Sequence, residues 1–178
     1  MRMILGVVLA GGRSTRFGSD KAQAHWRGQS LLTHAVDQLS GWCEQVVIAG
    51  RGQGPAPCIP DWPAPGMGPL AGVAAGLHCA RDAQFSAILT CGVDSLGLPA
   101  DLPALLAPMP AHLAAQPVVG LWPMTAASTL EAILTGDGRH SMRAFAEAIG
   151  ARAVTLDSPP ANINTPADLA ALDPGHTD

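Results

Sequence analysis

Five short runs, "MILGVVLA", "QVVIAG", "SAILTCG", "QPVVGLWP" and "RAVTL", are almost continuously apolar, and segments of helical periodicity separate them. Strands that are hydrophobic on both faces need cover on both faces, so these runs read as buried parallel strands. The intervening segments can supply that cover. "SLLTHAVDQL" brings Leu31, Leu32, Ala35, Val36 and Leu39 to one helical face behind a Ser30 cap. "GPLAGVAAGLHCA" can open with Pro69 at the first helical position, where a missing N–H costs nothing. "STLEAILTG" predicts a capping box from Ser128 to Glu131 and a stop at Gly136. "SMRAFAEAIG" has a polar start and a glycine stop at Gly150, and "NTPADLAAL" sets Thr165, Pro166 and Asp168 as cap, first-turn and third residues. The alternation predicts an α/β chain: a Rossmann-like three-layer sandwich, its sheet mostly parallel, with helices on both faces. At 178 residues and 48% apolar content, one domain over residues 1–178 is expected.

A net charge of −4 argues against a surface that attracts nucleic acid as a whole, so any anionic ligand must be held locally. No apolar run approaches the roughly 18 residues of a membrane span. The N-terminus has no cleavage-site pattern, which gives a cytoplasmic expectation. Cys43, Cys58, Cys79 and Cys91 lie far apart without a C-x-x-C pair and read as reduced thiols. The six histidines show no metal-ligand spacing. Trp26, Trp62 and Trp122 read as packing residues, with stacking on a purine or pterin the alternative. The Gly/Pro-rich stretch "GRGQGPAPCIPDWPAPGMG" reads as an active-site loop rather than a linker.

Ligands of such sheets bind outside the carboxyl ends of the strands, and "LAGGRSTRFGSDK" follows the first strand at that position. It fails the P-loop pattern, because five residues separate Gly12 from Gly18 and the lysine comes three later. It fails the dinucleotide fingerprint too, since Gly11 and Gly12 are adjacent. Adjacent glycines still let backbone N–H groups approach a phosphate or base, and Arg13, Arg16 and Lys21 can neutralise a triphosphate. Lys21 is the only lysine among ten basic residues. The alternative for this stretch is a solvated turn.

The loop resembles the signature LAGG-x-S-x-R-M-G-x-D-K of the nucleotidyltransferases that activate the molybdenum cofactor, with Phe17 in the place of methionine. "GMGPLAGVAAGL", "CGVDSLGLP", "LWP" before "LEAIL", "GRHSMRAFAEAIGA" and "NINTPADL" fit the same family in the same order, so the resemblance covers nearly the whole chain. Its molybdenum cofactor guanylyltransferase branch joins GMP from GTP to the phosphate of molybdopterin and releases pyrophosphate. The resemblance thus implies GTP and molybdenum-molybdopterin as substrates and Mg2+ as cofactor. It also implies transient contact with a molybdopterin-delivering protein and with acceptor molybdoenzymes. A cytidylyltransferase using CTP and a non-catalytic nucleotide-binding protein are the alternatives. Gly50 and Arg51 stand where the guanylyl group often has asparagine, and no proline follows shortly after Asp94.

Such chemistry needs no Ser-His-Asp or Cys-His pair, because the attacking phosphate oxygen is already anionic; it needs cations and donors around two anions. Arg16, Lys21 and Asp94 are the expected catalytic residues. Asp94, at the end of "SAILTCGV", can reach the crevice and serve as the metal ligand, with a solvated strand-end aspartate as the alternative. The resemblance implies nucleotide binding by Leu9, Ala10, Gly11, Gly12, Lys21, Asp61 and Asp94; alone, Asp61 is a loop acid. Gly68, Gly72 and Gly76 recur every fourth residue and expose helix backbone to the sheet or a ligand. Asn162 and Asn164 flank Ile163, so both amides would face one way and could bind the pterin or phosphate groups, unless Asn164 serves the following helix instead.

Overall fold

The computed structural model describes residues 3–12 and 18–172. In chain order its strands are β1 (Ile4–Leu9), β2 (His25–Trp26), β3 (Gln29–Ser30), β4 (Gln45–Ala49), β5 (Cys58–Ile59), β6 (Ala87–Gly92), β7 (Ser95–Leu96), β8 (Ala111–Leu113), β9 (Gly120–Pro123), β10 (Arg152–Val154) and β11 (Ala161–Asn162). Its helices are α1 (Leu31–Ser40), α2 (Pro69–Asp82), α3 (Leu102–Leu105), α4 (Ala127–Thr135), α5 (Met142–Ala148) and α6 (Pro166–Ala171), with 3-10 turns at Lys21–Gln23 and Met124–Ala126. Seven strands form one sheet in the order β10-β8-β9-β6-β1-β4-β5, and β11 pairs with β7 in a separate ribbon.

The sheet is mostly parallel. Central β1 pairs in parallel with β4 and β6, and β5 and β10 add parallel partners toward the edges. β9 departs from the all-parallel reading of "QPVVGLWP": it runs antiparallel to both β6 and β8. Its position inside the sheet accounts for its apolar sequence, since burial on both faces depends on cover and not on strand direction. The first half of that run is a turn, in which Val119 N–H donates to the Gln116 carbonyl.

Side chains alternate across β1 and divide the core. Leu5 and Val7 face α2, α4 and α5, where they join Val73, Leu77, Leu130, Trp122 and Phe145. Val8 faces α1 and α3 and joins Leu32, Leu39 and Leu102. α1 begins behind Ser30, whose hydroxyl accepts from Thr33 N–H, and buries the five predicted residues. α2 begins at Pro69, and a Cβ at Gly76 would come within 2.7 Å of Val7, so glycine there lets helix and sheet close up. Trp122 is wholly buried against Phe145, which makes it core.

The capping box expected from Ser128 does not form. α4 starts two residues earlier, at Ala127, and its cap residue, Ala126, has no side-chain hydrogen bond. The turn Met124–Ala126 runs directly into the helix and Ala127 N–H donates to the Met124 carbonyl, so the first orphan donor of the helix start finds a backbone partner. Glu131 instead meets His78 of α2 at 2.6 Å. Among the described residues no helix is long and apolar enough to cross a membrane.

Candidate active site

The carboxyl ends of β1, β4 and β6 open into one crevice. Past β1, Ala10 N–H still donates to the Ala49 carbonyl, and Gly11 and Gly12 then turn outward, exposed. Gly50 ends β4 with φ +84°, where a Cβ would lie 2.5 Å from the Gly11 Cα. A Cβ on Gly11 would in turn lie 2.7 Å from Asp61 Oδ2. Two backbones therefore nest only because both are glycine, and the Asp61 carboxylate packs against them at the first loop. The segment before α2 is held by hydrogen bonds from Gly50 N–H to Ile59 and from Trp62 N–H to Ala71. Burial pushes the Asp61 carboxyl above the usual aspartate value. Gly12, Asp61, Gly68, Gly72 and Asp94 line a cavity of about 190 Å³ at this point. A wider open cleft of about 770 Å³ adjoins it beneath Gly18, Asp20 and Arg51. The 14-residue α2 starts at the cavity with Gly68 as a cap that offers no side chain. Pro69 brings no N–H and Ala71 N–H donates to the Gly68 carbonyl, so the helix offers the cavity chiefly the positive end of its dipole.

Lys21 meets Asp94 in the same crevice. Lys21 Nζ lies 3.1 Å from Asp94 Oδ2 and donates to the Ile163 carbonyl at 2.6 Å. The Asp94 side chain folds back over Gly92, where a Cβ would collide with it. Lys21 opens its 3-10 turn behind Asp20, which accepts from Ala22 N–H. Asp20 also receives both arms of the Arg51 guanidinium, at 2.9 and 2.6 Å. This pairing holds the Asp20 carboxyl below the usual range and lifts Arg51 above its own. From α1, Gln38 donates to the Ser95 carbonyl and accepts from Leu98 N–H, fixing the loop that follows Asp94.

The "NINTP" segment meets Lys21 and the loop after β6. Asn162 pairs with Ser95 in the β7–β11 ribbon, Ile163 is buried, and Asn162 and Asn164 are both exposed. The backbone N–H of Asn164 also joins the helix cap by donating to Asp168 Oδ2. Thr165 and Asp168 complete the expected capping box, whose donors hold the Asp168 carboxyl below the usual range.

The structure thus brings Leu9, Ala10, Gly11, Gly12, Asp61 and Asp94 to one cavity. It joins Lys21 to Asp94 and to the backbone between the two asparagines. Arg13, Arg16 and Phe17 lie outside the described residues. Sequence reasoning gave no role to Asp20, although the signature includes it, noted Arg51 only as a departure from the family, and did not single out Gln38. Among the described residues no three His, Cys, Asp or Glu side chains cluster as a metal cage, and the four cysteines are free thiols. His78 pairs with Glu131 and packs edge-on against Trp62, away from Asp94. Glycine backbone, a helix start and a lysine–carboxylate pair can hold and polarise a phosphate chain.

Comparison with known proteins agrees with this chemistry. The model of the MobA-like NTP transferase domain matches residues 6–157. The molybdenum cofactor guanylyltransferase of Acidiphilium cryptum (strain JF-5) is 39% identical, covering 95% of this chain and 93% of that protein. The protein of the same name from Rhodobacter capsulatus is 33% identical over 94% and 93%. Among solved structures, molybdopterin-guanine dinucleotide biosynthesis protein A from Archaeoglobus fulgidus superposes with a TM-score of 0.73 at 21% identity, over 94% of this chain and 95% of that one. The 2-C-methyl-D-erythritol 4-phosphate cytidylyltransferase of Thermus thermophilus superposes with a TM-score of 0.63 at 16% identity, over 96% of each, so the two solved structures share the fold.

Proposed function

The chain belongs to the MobA-like NTP transferase family, and from that premise we propose that it transfers GMP from GTP to the phosphate of molybdenum-bound molybdopterin, yielding the guanine dinucleotide cofactor and pyrophosphate. The observation that carries this reading is the meeting of Lys21 and Asp94 at the glycine-lined cavity. An oxygen of the molybdopterin phosphate forms a bond to the α-phosphorus of GTP. The bond from that phosphorus to its bridging oxygen breaks, and the electron pair leaves with pyrophosphate. No proton has to be abstracted, so the protein's task is to position two anions and balance their charge.

The backbone donors of Gly11 and Gly12, together with Leu9 and Ala10, hold the nucleotide. Lys21 and Arg16 neutralise the triphosphate. Asp94 would hold Mg2+ with its carboxylate at the crevice, together with phosphate oxygens and water. When bound there, that ion would stabilise charge developing on the phosphates. Asp61 presents two acceptors, which match the N1–H and N2 amino group of guanine, whereas cytosine and adenine offer a single amino group on the corresponding edge. Asn162 and Asn164 hold the molybdopterin on the opposite side. Residues 1–178 act as one nucleotidyltransferase domain. Its free thiols suit the reducing cytoplasm, where it would meet a molybdopterin-delivering protein and the acceptor molybdoenzymes.

Turnover of molybdopterin with equal concentrations of GTP, CTP and ATP, each with Mg2+, tests the reading. Guanine dinucleotide and pyrophosphate are the expected products. A preference for CTP would reassign the chain to cytidylyl transfer, and GTP binding without transfer would make it a nucleotide-binding protein.

A further inference from the structure

Gln116 is one of only four buried polar residues among those described, with 5% of its surface exposed, and it stands outside the cavity. It lies in the turn between β8 and β9, yet its amide binds two other segments. Ser95 Oγ donates to Gln116 Oε1 at 2.8 Å. Gln116 Nε2 donates to the carbonyls of Pro160 and Ala161 at 3.0 and 3.3 Å. Two carbonyls on one side require the amino group there, so the amide orientation is determined. Ser95 follows Asp94 directly and is the register partner of Asn162. The amide therefore joins the metal-ligand loop to the strand that carries the asparagines, just before Ile163 N–H donates to the Asp94 carbonyl.

We propose that Gln116 is a positioning residue for the second substrate: it fixes the β7–β11 ribbon so that Asn162 and Asn164 stand at a set distance from Asp94. This rests on the reading that the ribbon holds molybdopterin. The β7–β11 pairing spans two residues on each strand, too few to set its own register firmly, and α6 beyond it buries no residue completely. A buried amide with three partners supplies what the short ladder lacks. Its effect should fall on the ribbon and leave the glycine loop and Asp61, which β1, β4 and α2 hold, undisturbed.

Gln116→Leu removes all three hydrogen bonds. Gln116→Glu keeps the volume and the Ser95 bond but turns an oxygen toward two carbonyls. In both, the KM for molybdopterin should rise about tenfold, the size of one lost buried hydrogen bond, with kcat at saturation and the GTP dissociation constant within twofold of the parent. Amide exchange across residues 161–164 should quicken about tenfold while β1 and β6 stay protected. An unchanged molybdopterin KM, unchanged exchange at 161–164, or an equal loss of GTP affinity would overturn the proposal. If the leucine variant does not fold, the glutamate variant carries the comparison; loss of folding in both would make Gln116 a core residue and also overturn it. Absence of molybdopterin turnover by the parent protein would instead refute the activity itself.

Discussion

At Asp61 burial and charge pull in opposite directions. Burial lifts its carboxyl above the usual value, so the folded protein holds this proton at a pH where the unfolded chain has released it. Above that window the ionised carboxylate costs stability, and Asp61→Asn should raise the melting temperature at neutral pH rather than lower it. The same variant should bind GTP at least about tenfold more weakly, because an amide offers guanine one acceptor where the carboxylate offers two. Calorimetric titration against pH checks both halves: parent GTP affinity should decline in mildly acidic buffer, before an ordinary aspartate would protonate, and the variant should lack that decline. Asp94 calls for a different outcome. Asp94→Asn should keep the fold yet cut transfer about a hundredfold or more at saturating Mg2+, measured as pyrophosphate release, since it removes charge from the transition-state clamp. Lys21 and Asp94 were legible because each is chemically singular where it stands, the sole lysine in a glycine loop and an acid closing an apolar strand. Asp20 and Arg51 were not, since 31 residues separate them and each alone reads as a solvated charge.

The elements that were legible are those whose local chemistry and burial agree. α1 has Ser30 as cap and one apolar stripe, and α2 has Pro69 in its first turn and glycines against the sheet. β8, with three residues, and the two-residue strands of the ribbon are too short to carry a period, and they form because neighbouring elements hold them. Ser128 had the right sequence for a cap but met a turn already wound into the helix. The lysine turn belongs to the same class of borrowed structure. Three residues long, it is capped by Asp20 and tied through Arg51 to the end of β4. Arg51→Ala should leave the turn in place and free its position, lowering turnover about three- to tenfold. Arg51→Lys should recover only part, because an ammonium cannot grip both carboxylate oxygens. Steady-state rates across a salt series check this, and high salt should narrow the gap between parent and variant, as expected for a partly exposed pair.

On the scale of the whole molecule, the sheet divides the work. We assign the nucleotide to the loops after β1 and β4 and the segment before α2, which line the cavity, and the molybdopterin to the β7–β11 ribbon. In-line displacement brings the two substrates to phosphorus from opposite directions, so their binding groups should be separable. Replacing Asn162 and Asn164 together with alanine should weaken molybdopterin about tenfold or more and leave GTP affinity nearly intact; separate titrations of the two ligands decide it, and the reverse pattern would exchange their assignments. The doubly covered sheet was legible in the alternation of the chain, whereas the ribbon was not, because its contacts join segments far apart in sequence. That distance bears on the order in which the protein assembles. Lys21 is fixed to Asp94, 73 residues away, and to Ile163, 142 residues away, and the second of these closures is among the longest in the fold. Long closures lose the most chain entropy and form late. A nascent chain can therefore complete the glycine-lined side of its crevice while the lysine still lacks its final anchor, and on the role proposed for Lys21 chemical competence arrives as the closing event of folding.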